Sequence, residues 1–507
     1  MQSKILSLEA LIEKISELKK QGKTIVQSHG VYDVIHPGIV QHLKLAKEQG
    51  DVLVVTVIRD QFVRLGPGRP IFNELLRLQN VVALQSVDYV ALVDEKVPFA
   101  CVRLLKPDVF AKGQAVRERD QAVHGGIFDE EKQFNFGKTR IVETSGFAFN
   151  TQSLVNNFLA VYPEDTRRFL KEFSKKYTFK YFTDQLDKLS KLNVLLIGDG
   201  IIDEYHYCNA MGRASKVDLV VNRYLTHEIF AGGVFALANH LSGLCRQVAL
   251  VSLLGTNDSR EEFIAQRLKP NITPKYFYRK NSGTIVKKRY VNNYSGQKLF
   301  EINFLDDHSI DEELEDKILN FLHKKIKEYD VVLISDFGHG FITDRIIKLI
   351  VSRAAWFAVN TQTNAANAGY NLITKYRHPN FICVDESEVR LAAQEKHGKI
   401  ELVAKKIRTK VKAQNFIVTL GKNGSIGFGP KGEFNRTPIF STKVVDTIGA
   451  GDAFFAFTAP CFAAGMPLDV VSLIGNVVGA LAVQIVGNKK PVEKHEVLEF
   501  IYNLVGQ

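Results

Sequence analysis

The chain has 507 residues, 66 of them Lys or Arg and 55 Asp or Glu, a formal net charge of +11, and 45% are hydrophobic. That composition excludes a disordered tail, a mini-protein and a collagen-like repeat, and the length points to at least two domains, each able to bury its own core. The basic residues are spread along the chain without a dedicated stripe, so anionic small molecules are expected as partners and nucleic acid is not. The cysteines at 101, 208, 245, 383 and 461 show no C-x-x-C spacing, which argues against a disulfide framework or a zinc site and for a reducing, cytoplasmic compartment.

The opening MQSKILSLEALIEKISELKK alternates charged and apolar residues at helical spacing and lacks the apolar region of a secretory signal. KTIVQSHG and DVLVVTVI read as β-branched strands flanking the amphipathic helix IVQHLKLAKEQG, which ends at Gly50, a βαβ unit. NELLRLQNVVALQS, VDYVALV and DVFAKG continue the alternation, so residues 1–160 are expected to form a Rossmann-like, doubly wound parallel sheet. Residues 161–190 are charge-dense and free of the strand pattern, and are expected to be a helical connector.

NVLLIGDG opens a second α/β region over residues 191–507, with strands expected at VALVSLLG, VVLISDFG, WFAVN, NFICVD and NFIVTLG. VVSLIGNVVGALAVQIVG, Val470 to Gly487, carries Asn476 and Gln484 and no interfacial aromatics; it is expected to be a buried helix, and no membrane partner is expected. GFGPKG, Gly427 to Gly432, matches a dinucleotide-binding pattern in letters only, because no helix follows it; a hairpin turn is expected.

The chemistry concentrates in VVDTIGAGDAFFAF. Here a strand is expected to end at Asp446, Gly449 and Gly451 to make a tight turn, and a helix to start at about Asp452. Such a turn gathers the N–H groups of Gly449, Ala450 and Gly451 at a positive helix end, an anion hole for a phosphoryl group, with Asp452 placed to take a proton from an attacking hydroxyl. The segment D-T-x-G-A-G-D resembles the signature of the ribokinase-like (phosphofructokinase B) sugar kinases, and the similarity covers about residues 190 to 500.

Gly198-Asp199 with Asp203 resembles that family's G-D-x-x-x-D, and Gly232 and Gly233 its sugar-binding glycines. Gly255 to Asp258, Thr284 with Lys287 and Arg289, Asp336 to Gly340 and Glu388 follow in the family's order. The resemblance implies sugar contacts at Asp203, Gly232, Gly233 and Arg289. It places Glu388 and Asp446 near ATP and Mg²⁺, with no metal ligand directly assigned. Three positions depart from the pattern: Ala236 stands where the family has a sugar-contacting Asn, His339 where it has Lys, and Asn360 where it has an acidic residue.

Near the N-terminus, SHGVYDVIHPGIVQHL sets His36 and Gly38 at the mouth of a helix, where an imidazole can neutralise triphosphate oxygens. With GPGRPIFNELLR and KPDVFAKG, this segment resembles the cytidylyltransferase-like nucleotidyltransferases, most closely the transferase half of the bifunctional heptose-7-phosphate kinase/heptose-1-phosphate nucleotidyltransferase family, over residues 5 to 160. The two halves stand in the reverse order. The resemblance implies CTP or ATP held by Asp33, His36, Gly38, Arg69, Lys112, Gly113 and Thr151.

The family's H-x-G-H reads here as His36-Pro37-Gly38-Ile39, the loop before GPGRP lacks an extra Lys, and F-S-S-S appears as Phe149-Asn150-Thr151-Gln152. Losing one charge-stabilising group costs about 2.7–4 kcal/mol of barrier. A weak or dead transferase is therefore expected. The whole reads as a two-domain α/β protein, expected to be a homodimer, that uses ATP and Mg²⁺ to phosphorylate a sugar or sugar phosphate. The resemblance implies a step toward nucleotide-activated heptose for bacterial lipopolysaccharide. A fully bifunctional enzyme and a decayed binding scaffold stay open alongside it.

Overall fold

The computed structural model describes residues 4–63, 69–95, 99–113, 138–144, 162–441 and 444–505. They fall into two compact units, one of residues 1–183 with 498–507 and one of residues 184–497.

In the first unit, strands β1 (Ile25–Gly30), β2 (Val52–Ile58), β3 (Tyr89–Val93), β4 (Val109–Gly113) and β5 (Arg140–Thr144) form a parallel sheet in the order β3-β2-β1-β4-β5. All seven residues of β2 are buried, the pattern of a central parallel strand covered on both faces. Its side chains alternate accordingly: Leu53, Val55 and Val57 pack with Val26 and Leu43, while Val52 and Val54 pack with Leu11 and Ile15. The helix Leu8–Lys20 begins where the Ser7 side chain accepts the N–H of Ala10, and the helix Pro37–Lys47 opens on a proline that has no N–H to satisfy. Two helices, Glu164–Ser174 and Phe179–Lys188, occupy the charge-dense stretch.

The second unit carries β6 (Asn193–Gly198), β7 (Gly200–Arg213), β8 (Val220–Gly233), β9 (Gln247–Gly255), β10 (Ile272–Arg279), β11 (Ile285–Asn292), β12 (Lys298–Phe304), β13 (Val331–Asp336), β14 (Phe357–Thr361), β15 (Phe381–Asp385), β16 (Asn415–Thr419), β17 (Ser425–Phe428) and β18 (Phe434–Thr437). Nine of them make one sheet, β10-β9-β6-β13-β14-β15-β16-β17-β18, parallel as far as β16 and closed by an antiparallel β17–β18 hairpin. GFGPKG lies in that hairpin, as expected. A four-stranded sheet, β12-β11-β7-β8, stands apart from the main one.

The helices Ala450–Ala463 and Leu468–Ala482 are buried on nearly every side, which accounts for their unbroken apolar sequence. Among the described residues no helix is long and apolar enough to cross a membrane. The five cysteines are buried, and none forms a disulfide with another.

Among the described residues, the strand expected to end at Asp446 does not form. Val444 and Val445 are exposed, and the N–H groups of Val445 and Asp446 instead donate to the carbonyl of Val483 at 2.8 and 3.1 Å, at the end of a helix. A β-branched pair is not enough for a strand when the nearest acceptor is a helix C-terminus.

Candidate active site

The DTIGAGD segment turns into a helix with Gly449 as its N-cap, at φ +81°, and helical residues from Ala450 onward. The helix thus starts two positions earlier than expected and makes Asp452 its third residue. A side chain at Gly449 would be strained by that φ, and its Cβ would lie 2.2 Å from Oδ1 of Asn488. A Cβ at Gly451 would meet nothing within 4 Å, so the mouth of the helix opens on free space. The first N–H groups of a helix have no intrahelical acceptor, and here that of Ala450 donates to the Thr447 carbonyl at 3.3 Å.

Asp452 is buried, and its Oδ1 accepts a 2.6 Å hydrogen bond from Nε2 of Gln362, just beyond the end of β14. Burial and the neighbouring Asp203 carboxylate push its pKa up to about 7, against the opposing pull of Gln362 and Lys287. A carboxylate poised near neutrality accepts a proton far more readily than an ordinary aspartate does.

Asp203 comes from β7, paired with Phe230 of β8 on one side and Lys287 of β11 on the other. It is hydrogen-bonded by Nη1 of Arg289, whose Nε meets Glu301 at 2.7 Å, and by Nδ2 of Asn488 at 3.3 Å. A Cβ at Gly232 would sit 2.0 Å from Asp203 Oδ2, so a side chain there would displace this carboxylate. Gly233, at φ +54°, is the N-cap of the helix Val234–Ser242. Burial lowers the pKa of Lys287, with the carboxylates around it pulling the other way.

The remaining motif residues hold the frame. Oδ2 of Asp199 accepts the Phe337 N–H at 2.9 Å, and burial followed by the nearby Asp336 raises its pKa to about 7. Asp336 accepts from Gly338 N–H, the Tyr376 hydroxyl and Lys375. The Thr284 hydroxyl ties β11 to Gly255 N–H and the Ser259 carbonyl. Asp446 accepts from Lys298 at 2.6 Å, from the Tyr205 hydroxyl and from the N–H groups of Ile448 and Gly487, and so anchors the turn ahead of the helix. Burial would raise the Asp446 pKa, yet these donors hold it below its ordinary value.

Glu388 accepts N–H groups with both oxygens, Asp385 at 2.8 Å and Thr363 at 3.0 Å, in a capping box on the helix Glu386–Ala393. Burial lifts its pKa to about 8. His339 is buried with both ring nitrogens unpartnered, and burial lowers its pKa to about 4. Among the described residues no cluster of three His, Cys, Asp or Glu could hold a metal by itself. Sequence reasoning missed Gln362, Asn488, Lys298 and Tyr205, which lie outside every motif and reach the site only through folding.

In the other unit, Asp33 Oδ1 accepts N–H groups of Ile71 and Phe72 at 2.7 and 3.0 Å, while Oδ2 pairs with Arg69 at 2.9 Å. His36 is the buried N-cap of the helix Pro37–Lys47, Gly38 lies in its first turn, and Ile39 packs against the hydrophobic core. Burial lowers the pKa of His36. Lys112 and Gly113 end β4. Arg77, fully buried, donates to the carbonyls of Phe72, Val31 and Ile58 and so fixes the loops around the sheet's C-terminal edge. Thr151 and the segment Phe149 to Gln152 lie outside the described residues.

Residues 28–128 match the cytidylyltransferase-like family model, and residues 193–495 match that of the pfkB family carbohydrate kinases. The protein described as bifunctional protein HldE from Nitratiruptor sp. is 26% identical over 302 residues, 59% of this chain and 62% of its own length. That of Methylobacillus flagellatus is 38% identical over 124 residues, 24% of this chain and 25% of its own length. The chain thus spans about six tenths of the first of these relatives and about a quarter of the second.

Phosphofructokinase-2 from Escherichia coli, in its tetrameric inhibited form, superposes with a TM-score of 0.50 at 13% identity, over 62% of this chain and all of that one, which shows a shared fold. The second unit has the ribokinase-like fold and the first a Rossmann-type cytidylyltransferase-like fold, as expected. With more than half of its residues inside the carbohydrate-kinase match, the chain belongs to the pfkB family of carbohydrate kinases.

Proposed function

We propose that the second unit transfers the γ-phosphoryl group of ATP to a hydroxyl of a sugar or sugar phosphate, with Asp452 as the base. The hydroxyl oxygen forms a bond to the γ-phosphorus, the bond from that phosphorus to the β–γ bridging oxygen breaks, ADP leaves, and the hydroxyl proton passes to Asp452. In this reading the N–H groups of Gly449, Ala450 and Gly451 receive the phosphoryl charge, that of Ala450 by leaving the Thr447 carbonyl it meets at 3.3 Å, and Asp203, Arg289, Gly232 and Gly233 line the sugar side. Glu388 lies near Asp452 but spends both oxygens on backbone N–H groups, so a Mg²⁺ ion would be held mainly by the nucleotide's phosphates and water. When bound, that ion neutralises phosphate charge.

One observation carries this reading. A carboxylate with its pKa raised to about 7 sits on the first turn of a helix whose glycine mouth opens on free space. The test is sugar-dependent ADP formation, which Asp452→Asn should lower about 10²–10⁴-fold. Undiminished turnover in that variant would remove the base assignment.

In the first unit we propose nucleotide binding without efficient transfer, in a protein that serves heptose activation for surface polysaccharide. Support comes from Ile39, an apolar side chain packed against the core where a charge-stabilising group would be needed. Pyrophosphate release from CTP or ATP with a sugar 1-phosphate should be slow in the wild type and rise at least tenfold in Ile39→His. Fast release by the wild type would instead establish a bifunctional enzyme.

A further inference from the structure

Asn488 belongs to none of the recognised motifs, yet it lies between the two halves of the kinase site. Its Nδ2 donates to Asp203 Oδ2 at 3.3 Å, and its Oδ1 rests where a Cβ on Gly449 would come within 2.2 Å. Gly232 is close as well, its imagined Cβ lying 3.3 Å from Nδ2 of Asn488. The side chain thus spans from the phosphoryl-binding turn to the sugar-side carboxylate, and the absence of side chains at two glycines leaves it room.

The backbone on both sides of Asn488 is held. Gly487, at φ +51°, donates its N–H to Asp446 at 2.9 Å, and Lys489 pairs with Glu228 at 2.6 Å. The side chain is only half-buried, so its amide is reachable from solvent. An amide offers both a donor and an acceptor, which suits a hydroxyl better than a phosphate.

We propose that Asn488 hydrogen-bonds a hydroxyl of the acceptor sugar and, together with Asp203, determines which sugar is phosphorylated. The proposal rests on the kinase reading above. Asn488 orients the acceptor while Asp452 handles the proton, so its loss weakens sugar recognition selectively. ATP, which this side chain does not serve in the proposal, keeps its affinity.

The experiment uses the full-length protein with ATP and Mg²⁺ and, as acceptors, mannose, fructose 6-phosphate, mannose 6-phosphate and a heptose 7-phosphate. The monodeoxy analogues of the best acceptor follow. Asn488→Ala should raise KM for that acceptor about tenfold, the effect of one lost hydrogen bond of ordinary strength. KM for ATP should stay within twofold, and the variant should no longer distinguish the acceptor from one of its deoxy analogues. Asn488→Ser, which keeps a hydroxyl, gives an intermediate KM and serves if the alanine variant does not fold. Equal shifts in both KM values, or discrimination among the deoxy analogues equal to that of the wild type, would overturn the proposal while leaving the kinase in place. Absence of wild-type phosphorylation of every acceptor would overturn the kinase reading and this proposal together.

Discussion

Asp452 and Gln362 show how much of this site depends on single contacts. Buried near Asp203, the carboxylate of Asp452 holds its proton up to about pH 7, and the 2.6 Å bond from Gln362 works in the opposite direction. The base is active only when deprotonated, so kcat should rise with pH through about 7 and then level off. Removing the amide in Gln362→Ala takes away a contact that favours the charged form, and the rising limb should move to higher pH with a nearly unchanged plateau. A pH–rate profile of both proteins checks this, and an unmoved limb would exclude a positioning role for Gln362. Asp452 itself could be read in the sequence because its motif is contiguous. Gln362 could not, because it lies 90 positions earlier in the chain, in the loop just beyond β14.

At the scale of elements, the catalytic turn is a helix start whose geometry is set by glycine. Gly449→Ala would force a left-handed φ on a residue with a side chain, at a cost of about 1–2 kcal/mol. It would also drive a Cβ to within 2.2 Å of Asn488. The expected outcome is a Tm lowered by a few degrees and kcat/KM lowered more than tenfold; wild-type values for both would show that the turn tolerates a side chain.

The elements themselves were unevenly legible. The parallel strands β6, β9, β13, β14, β15 and β16 were readable from compact apolar runs, because both of their faces are buried. The four-stranded sheet went unread. Its outer strands carry exposed residues among apolar ones, as in the wholly exposed β12, and give neither a continuous run nor a clean alternation. The strand assigned before Asp446 erred in the opposite way, from β-branched composition with no partner to pair with.

For the molecule as a whole, buried titratable groups give stability a definite pH dependence. Asp199 and Asp452 are raised to about 7 and Glu388 to about 8, so each keeps a proton in the folded state that it has lost in the unfolded one. Their contribution is fully present below their unfolded pKa values and is lost as pH rises through the folded ones. His42, His240 and His339 are lowered to about 4 by burial, and their contribution is present above about 6.5 and lost as pH falls toward 4. Between about pH 4.5 and 6.5 the two sets oppose each other. Above that, of these six groups the carboxylates still titrate. Thermal melts should therefore show a broad maximum near pH 5–6.5 and a decline toward pH 8, shallower in Asp452→Asn. A Tm that climbs steadily to pH 8 would contradict these shifts.

The sequence by itself determined the α/β class, the parallel cores and the phosphoryl-binding corner, because each is written in neighbouring residues: buried strands as apolar runs, and a glycine turn beside the aspartate that uses it. Only the tertiary structure decided which groups surround that corner. Gln362 beside Asp452, Asn488 on Asp203, and Lys298 with Tyr205 on Asp446 are contacts across 90 to 285 positions of chain. Their geometry comes from how separate strands and loops pack around the cleft, and no local pattern in the chain encodes it.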